Sequence, residues 1–211
     1  DNRNAKTTGK YWISKVFAIL SDCQKDIVLS GKVYLDETYF SVMPKDQTKK
    51  QDGKHYRGLS RNKICVVTAT DGVNVFLAVC GRAKPSRARI LEAFEGHMKN
   101  GSVLIHDGEN SHKILTEAFG LTEEVHTTKE TRNLSDDDNP MEPINAVHRN
   151  MKRFMREHPA YDRDDLQDWL NLFWFIYTNH GISIDDKVKK LLQMAVLTRK
   201  VIRFRGIFAK K

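Results

Sequence analysis

The segment that most restricts the fold is residues 63–81, "KICVVTATDGVNVFLAVCG", two apolar, β-rich runs joined at Asp71-Gly72. Such runs on either side of an Asp-Gly pair predict a hairpin, and so an antiparallel pair of strands. Upstream, "SGKVYLDETYFSV" (30–42) reads as another strand of the same kind. Downstream the pattern changes. "PSRARILEAFEGHMK" (85–99) is predicted as a helix with Pro85 and Ser86 at its start and Gly101 just past its end. "SVLIHD" (102–107) is a short buried strand, "NSHKILTEAFG" (110–120) a short helix stopped by Gly120, and "TEEVHTT" (122–128) a weak strand. Helical spacing then predicts helices at about 140–157, 162–179 and 184–197, beyond an acidic loop. The spacing of Trp12, Val16, Ile19 and Leu20 predicts one more over 7–21, and the Lys-rich connection 44–62 is expected to be mobile.

Three antiparallel strands followed by β-α-β crossovers specify a mixed sheet with helices on it. That is the strand order of a ribonuclease-H-like α/β core. A chain of 211 residues is long enough for one such domain with a small appendage. No apolar run approaches the ~18–20 residues that span a bilayer. Residues 1–20 are not expected to be a signal peptide, because Lys15 interrupts "YWISKVFAIL" and no small-residue cleavage site follows. Cys23, Cys65 and Cys80 are far apart and include no C-x-x-C pair, so free thiols in a reducing compartment are expected rather than a zinc site. These features predict a cytoplasmic protein. The chain opens without Met on a polar run, and the expectation is a fragment of something longer.

Within "KVYLDETYF", Asp36 and Glu37 interrupt a run suited to a sheet interior, where an unpaired carboxylate costs several kcal/mol. Asp107 stands at the carboxyl end of the strand in "VLIHDGENSH", where α/β sheets place their ligand sites. In a ribonuclease-H-like sheet these two strands are neighbours, so Asp36 and Asp107 face each other. Two carboxylates so placed repel unless a divalent cation lies between them, and oxygen ligands suit Mg²⁺ or Mn²⁺. Glu37 alternates to the opposite face with Val33, Leu35 and Tyr39, so Asp36 is the ligand of the pair. His106 and His112 flank Asp107; the ordinary expectation for each is a structural, hydrogen-bonded histidine.

A third ligand is sought on the helix of "DNPMEPINAVHRNMKRFM" (138–155). Asn139 is expected to cap it, with Pro140 first and Glu142 in the N3 position. Ile144, Val147, Met151 and Phe154 form a core stripe, and Asn145, His148 and Lys152 lie on a face beside it. Asn145 offers a neutral oxygen ligand and Lys152 a cation for phosphate. The net charge of +8 favours a polyanionic partner, nucleic acid by default.

Four segments in this order, "VYLDETYF", "HYRGLSRNKICVVTATDG", "HDGENSH" and "NPMEPINAVHRNMKRFM", resemble the catalytic domain of insertion-sequence transposases of the DDE superfamily, ISXO-like group. The resemblance runs from about residue 30 to 180. It implies metal-dependent strand cleavage and strand transfer of an insertion sequence, through a catalytic set of Asp36, Asp107, Asn145 and Lys152. Many members carry Glu where this chain has Asn145, and Glu142 is the rival third ligand. Two Mg²⁺ or Mn²⁺ ions are implied, with transposon-end and target DNA as partners and a homo-oligomer on DNA at the nucleoid. Residues 1–28 would end a helix-turn-helix DNA-binding region, with Lys10 and Lys15 toward DNA. Residues 29–182 would be the catalytic domain and 183–211 a C-terminal helix and basic tail. Lys49, Lys50, Lys54, Arg57, Arg61, Arg149, Arg153 and Arg156 would hold phosphates. Two other readings remain open: a nuclease without strand transfer, and a DNA-binding protein that keeps the fold without catalysis.

Overall fold

A computed structural model describes residues 3–159 and 161–202. Its centre is a five-stranded sheet in the order β3-β2-β1-β4-β5. The strands are β1 (Lys32–Ser41), β2 (Lys63–Thr70), β3 (Val75–Arg82), β4 (Val103–His106) and β5 (Thr122–Val125). β1 pairs antiparallel with β2 and parallel with β4, β2 and β3 form the hairpin, and β4 and β5 run parallel. This is the ribonuclease-H-like arrangement expected from the sequence. The Asp71-Gly72 turn forms as its chemistry dictates. Asp71 Oδ1 accepts from the amides of Val73 and Asn74, and Gly72 takes a φ of 86° that side chains disfavour.

The helices are α1 (Arg3–Leu20), α2 (Arg87–Phe94), α3 (Lys113–Phe119), the single turn α4 (Thr128–Thr131), α5 (Glu142–Glu157), α6 (Leu166–Thr178) and α7 (Ile184–Leu197). The larger of two compact units spans Asp26–Gln167 and holds the sheet. On one face of its sheet, Ile90 and Phe94 of α2 and Leu115 of α3 pack with Val33, Leu35, Val67, Phe76 and Leu104. Each such fully buried side chain stabilises the fold by about 1.5–3 kcal/mol. The opposite face is covered by α5, whose buried Ile144, Val147, Met151 and Phe154 are the stripe read from the sequence.

Two expectations are corrected. The helix expected over 85–99 ends at Phe94, because Gly96 turns with φ 77° and the backbone of 97–99 pairs instead with Leu29. α5 begins at Glu142, not Pro140: the Asn139 side chain accepts from the Met141 amide in a preceding turn, and Met141 occupies the cap position without a side-chain bond. Within the connection 44–62, the Asn62 side chain accepts from the amide of Thr48 and donates to its carbonyl.

The second unit, Asp1–Lys25 with Asp168–Lys211, is helical. Phe17 of α1 packs edge-on against Trp169 at 5.3 Å, and Gln24 donates to Asn171 Oδ1 at 2.7 Å. Trp12 of α1 is 60% exposed, while Phe17 and Leu20 form the buried side of the helix. The expected basic tail lies in part at 203–211, outside the described residues. No helix among the described residues is long and apolar enough to cross a membrane.

Candidate active site

The register of the parallel pair decides where the acids meet. Tyr34 pairs with Ile105, so Asp36 and Asp107 stand two residues beyond the last paired positions of neighbouring strands. Asp36 lies on the face covered by α5, and its Oδ1 accepts from the Glu37 amide at 2.8 Å. Burial first, then the charge of Asp107, pushes the Asp36 carboxyl up to about 7. Asp107 uses Oδ1 to accept from the Glu109 amide at 3.0 Å, which shapes the turn after β4. Gly108 in that turn has φ 90°, and a Cβ there would come within 3.0 Å of Val125 Cγ1, so only glycine fits.

α5 adds a third wall. His148 Nδ1 stands 3.5 Å from Asp36 Oδ2. Burial, then the neighbouring Lys152, lowers the His148 imidazole to about 3, so it is neutral at physiological pH. Its Nε2 is buried without a hydrogen-bond partner among the described residues, and so is Thr68 Oγ1, from the residue paired with Asp36 across β1 and β2. Asn145, half-buried, and Lys152, exposed, lie one turn to either side of His148. Glu142 is engaged elsewhere: Arg149 donates to it and also pairs with Asp136.

This donor set fits a hard divalent cation. Asp36, raised chiefly by burial and further by the charge of Asp107, stands beside buried polar atoms that lack partners. Glu37 turns to the opposite face from Asp36, as strand alternation predicts. There His112 Nε2 meets Glu37 Oε1 at 3.0 Å. His112 Nδ1 meets His106 Nδ1 at 3.0 Å, and His106 Nε2 meets Glu123 Oε1 at 2.9 Å. Glu123 carries no signal in the sequence, because its role follows from the parallel pairing of β5 beside β4. One donor atom each from His106, Asp107 and His112 lies within 4.8 Å of the others.

The sequence profile of the ISXO2-like transposase domain matches residues 28–177. The chain belongs to the ISXO2-like transposase family. As a transposase domain it is an enzyme, a polynucleotidyl transferase. No curated protein matches the chain. Among solved structures it is similar to the Mos1 transposase catalytic domain determined with raltegravir and Mn, at 13% identity and TM-score 0.45, over 90% of this chain and 94% of that one. It is also similar to the HTLV-2 integrase catalytic core in complex with magnesium, at 10% identity and TM-score 0.40, over 71% and 85% of the two chains.

The basic residues singled out in the transposase sequence have varied surroundings. Lys50 and Arg61 both lie over the Tyr56 ring, at 6.0 and 5.3 Å, which gathers cations on the 44–62 connection. Lys54 pairs loosely with Asp52, while Lys49 and Arg57 are exposed. On α5, Arg153 donates to Asn150 and Arg156 is exposed, whereas Arg149 is held by its two acids. On α1, Lys10 is exposed and the Lys15 ammonium lies over the rings of Tyr11 and Trp12.

Proposed function

We propose that Asp36, Asp107 and Asn145 hold Mg²⁺ or Mn²⁺, two ions in all, and that the domain cuts and joins DNA at the ends of an insertion sequence. The observation that carries this is the pair of carboxylates at the ends of adjacent strands, with Asp36 raised to about 7 by burial and by Asp107. When bound there, the ions supply Lewis-acid stabilisation of the attacking and leaving oxygens. The chain's own residues do the rest. Asp36 and Asp107 anchor the reacting phosphate's surroundings from the sheet, and neutral His148 orients Asp36 through Nδ1. Lys152 brings a positive charge to the phosphate from α5. Water attacks phosphorus in line, the P–O3′ bond breaks, and the leaving 3′-oxygen takes a proton. The freed 3′-hydroxyl then attacks a target phosphodiester in the same way, losing its proton as the new bond forms.

Lys49, Lys50, Lys54, Arg57, Arg61, Arg153 and Arg156 hold double-stranded DNA through phosphate, with no base readout required of them. Arg149 is the weakest member of that set, because Glu142 and Asp136 already engage it. Asn145 is preferred to Glu142 as third ligand for the same reason. Residues 29–182 carry the chemistry and 1–28 contribute Lys10 and Lys15 to DNA, on a homo-oligomer working in the cytoplasm at the nucleoid. The test is Mn²⁺- and Mg²⁺-dependent nicking and joining of labelled transposon ends. Joined product that vanishes with Asp107→Ala is expected. Cleavage without joining would make the protein a nuclease, and binding without cutting would leave it a DNA-binding protein.

A further inference from the structure

The backbone ladder between β1 and β4 ends at Tyr34 and Ile105, before it reaches either acid. β1 stays paired with β2 past Asp36 and β4 with β5 as far as His106, so at that level the direct link between β1 and β4 falls to side chains. On the far face of the sheet, at that same level, the side chains Glu37, His112, His106 and Glu123 form one continuous chain from β1 through the turn after β4 to β5. Its two ends are the residue after Asp36 and a residue on the outermost strand, and it passes through the residue before Asp107. Both imidazoles are fully buried, and the Glu37 carboxylate is only 6% exposed.

The partners assign the protons. The Gly108 amide donates to His106 Nδ1 at 3.2 Å, so that nitrogen presents a lone pair. His106 therefore carries its hydrogen on Nε2 and donates to Glu123. His112 Nδ1 faces the same lone pair at 3.0 Å and must carry a hydrogen itself. His112 Nε2 lies 3.0 Å from Glu37 Oε1, so the line of contacts is continuous from β1 to β5.

We propose that the Glu37–His112–His106–Glu123 chain is a positioning brace that fixes the separation of Asp36 and Asp107 and thereby sets the domain's metal affinity. The two adjacent acids of β1 thus have separate roles: Asp36 reaches the reaction, and Glu37 holds the strand that carries it. The brace rests on the metal-binding role proposed above. It acts as outer-shell partners of metal ligands do, where loss of one partner typically costs about 10–100-fold in affinity.

The test is Mn²⁺ binding to the purified full chain by titration calorimetry, with imidazole nitrogen shifts from long-range ¹H–¹⁵N spectra. Glu37→Leu is expected to weaken Mn²⁺ binding by about tenfold or more while the chain stays folded by circular dichroism. Glu37→Gln can donate its amide to His112 Nε2, and it is expected to recover most of that loss. Asp107→Ala separates the two ideas. If wild type binds Mn²⁺ and Asp107→Ala does not, yet Glu37→Leu binds as wild type does, the brace is refuted and the metal site stands. If wild type does not bind Mn²⁺ at all, the metal site and the brace fall together. The spectra need no variant: His106 must show an unprotonated Nδ1 and a protonated Nε2, and the reverse overturns the brace. A transition metal co-purifying on the two Nδ1 atoms would also overturn it, by making them ligands.

Discussion

The two faces of the sheet at Asp36 and Glu37 contrast sharply, although the acids are adjacent. On the face under α2 and α3, Glu37, His112 and His106 are buried and, with the exposed Glu123, form one line of side-chain contacts. On the face under α5, Asp36 is held near 7, and Thr68 Oγ1 and His148 Nε2 are buried without partners. Buried polar groups cost about 1–3 kcal/mol when left unmatched, so a chain selected for stability alone would not keep them. The contrast separates support from reaction. On the reading proposed above, the face of Glu37 would hold geometry, although Ser111 Oγ beside His112 is also buried without a partner, and the face of Asp36 would keep groups for a ligand to relieve.

The largest effect expected from breaking the contrast is on the face of Asp36. Asp107→Ala or Asp36→Ala should lower Mn²⁺-dependent joining by on the order of 10³-fold or more, since each removes a carboxylate that holds transition-state charge stabilisation in place. Quantified joining of labelled ends measures it. A change of less than tenfold for both would show that neither acid serves the reaction.

On the face of Glu37 the largest expected effect is on folding. Phe94, fully buried against Phe76 at 5.3 Å between ring centroids, anchors α2 over the sheet. Phe94→Ala should cost about 3–5 kcal/mol of stability through lost burial and the cavity left behind. Urea unfolding measures it, and a loss below about 1 kcal/mol would mean that α2 is not the support described.

The pH dependence of stability compares the faces more finely. Asp36 is raised from 3.8 to about 7, so its favourable contribution is complete below its unfolded value and is lost as pH rises through about 7. His148 is lowered from 6.5 to about 3, so its contribution is present above 6.5 and is lost as pH falls toward 3. Between about pH 4 and 6.5 the two slopes oppose each other. His148→Gln should remove one of them. Metal-free stability should then fall with rising pH more steeply than in wild type, by up to about 1.4 kcal/mol per unit. Urea midpoints across that range, with chelator present, decide it; parallel profiles for the two proteins would place the titrating groups elsewhere.

How much of this is legible in the sequence depends on the range of the interactions. The hairpin, the β1 strand and the core stripe of α5 follow from local periodicity and turn chemistry, and they are found. The face on which Glu37 lies follows from strand alternation alone. The Glu37–His112 contact joins residues 75 apart in sequence and exists only once β1 and β4 are parallel neighbours. Nothing in the local pattern around His112 distinguishes it from a solitary buried histidine. The end of α2 escapes local reading for a related reason. Gly96 falls inside an otherwise helical pattern, and the backbone partner that draws residues 97–99 away, Leu29, lies far upstream.

The smallest effect expected is at Glu142, and it bears on the third ligand. Glu142 has the more usual chemistry for a metal site, whereas Asn145 has the better position. Glu142 sits at the first turn of α5, where its carboxylate meets Arg149, itself shared with Asp136. Asn145 is three residues before His148, on the side of α5 that reaches Asp36. A largely exposed ion pair of the Glu142–Arg149 kind is screened by solvent and contributes little to stability. Glu142→Ala should therefore leave the urea midpoint near wild type and change joining by no more than about a few-fold. Asn145→Ala should reduce joining well beyond that while leaving the urea midpoint near wild type. If the two variants exchange these roles, Glu142 leaves Arg149 when DNA and metal are bound and becomes the ligand. The helix N-terminus would then have to rearrange, because neither its present partners nor its place on α5 brings it to Asp36.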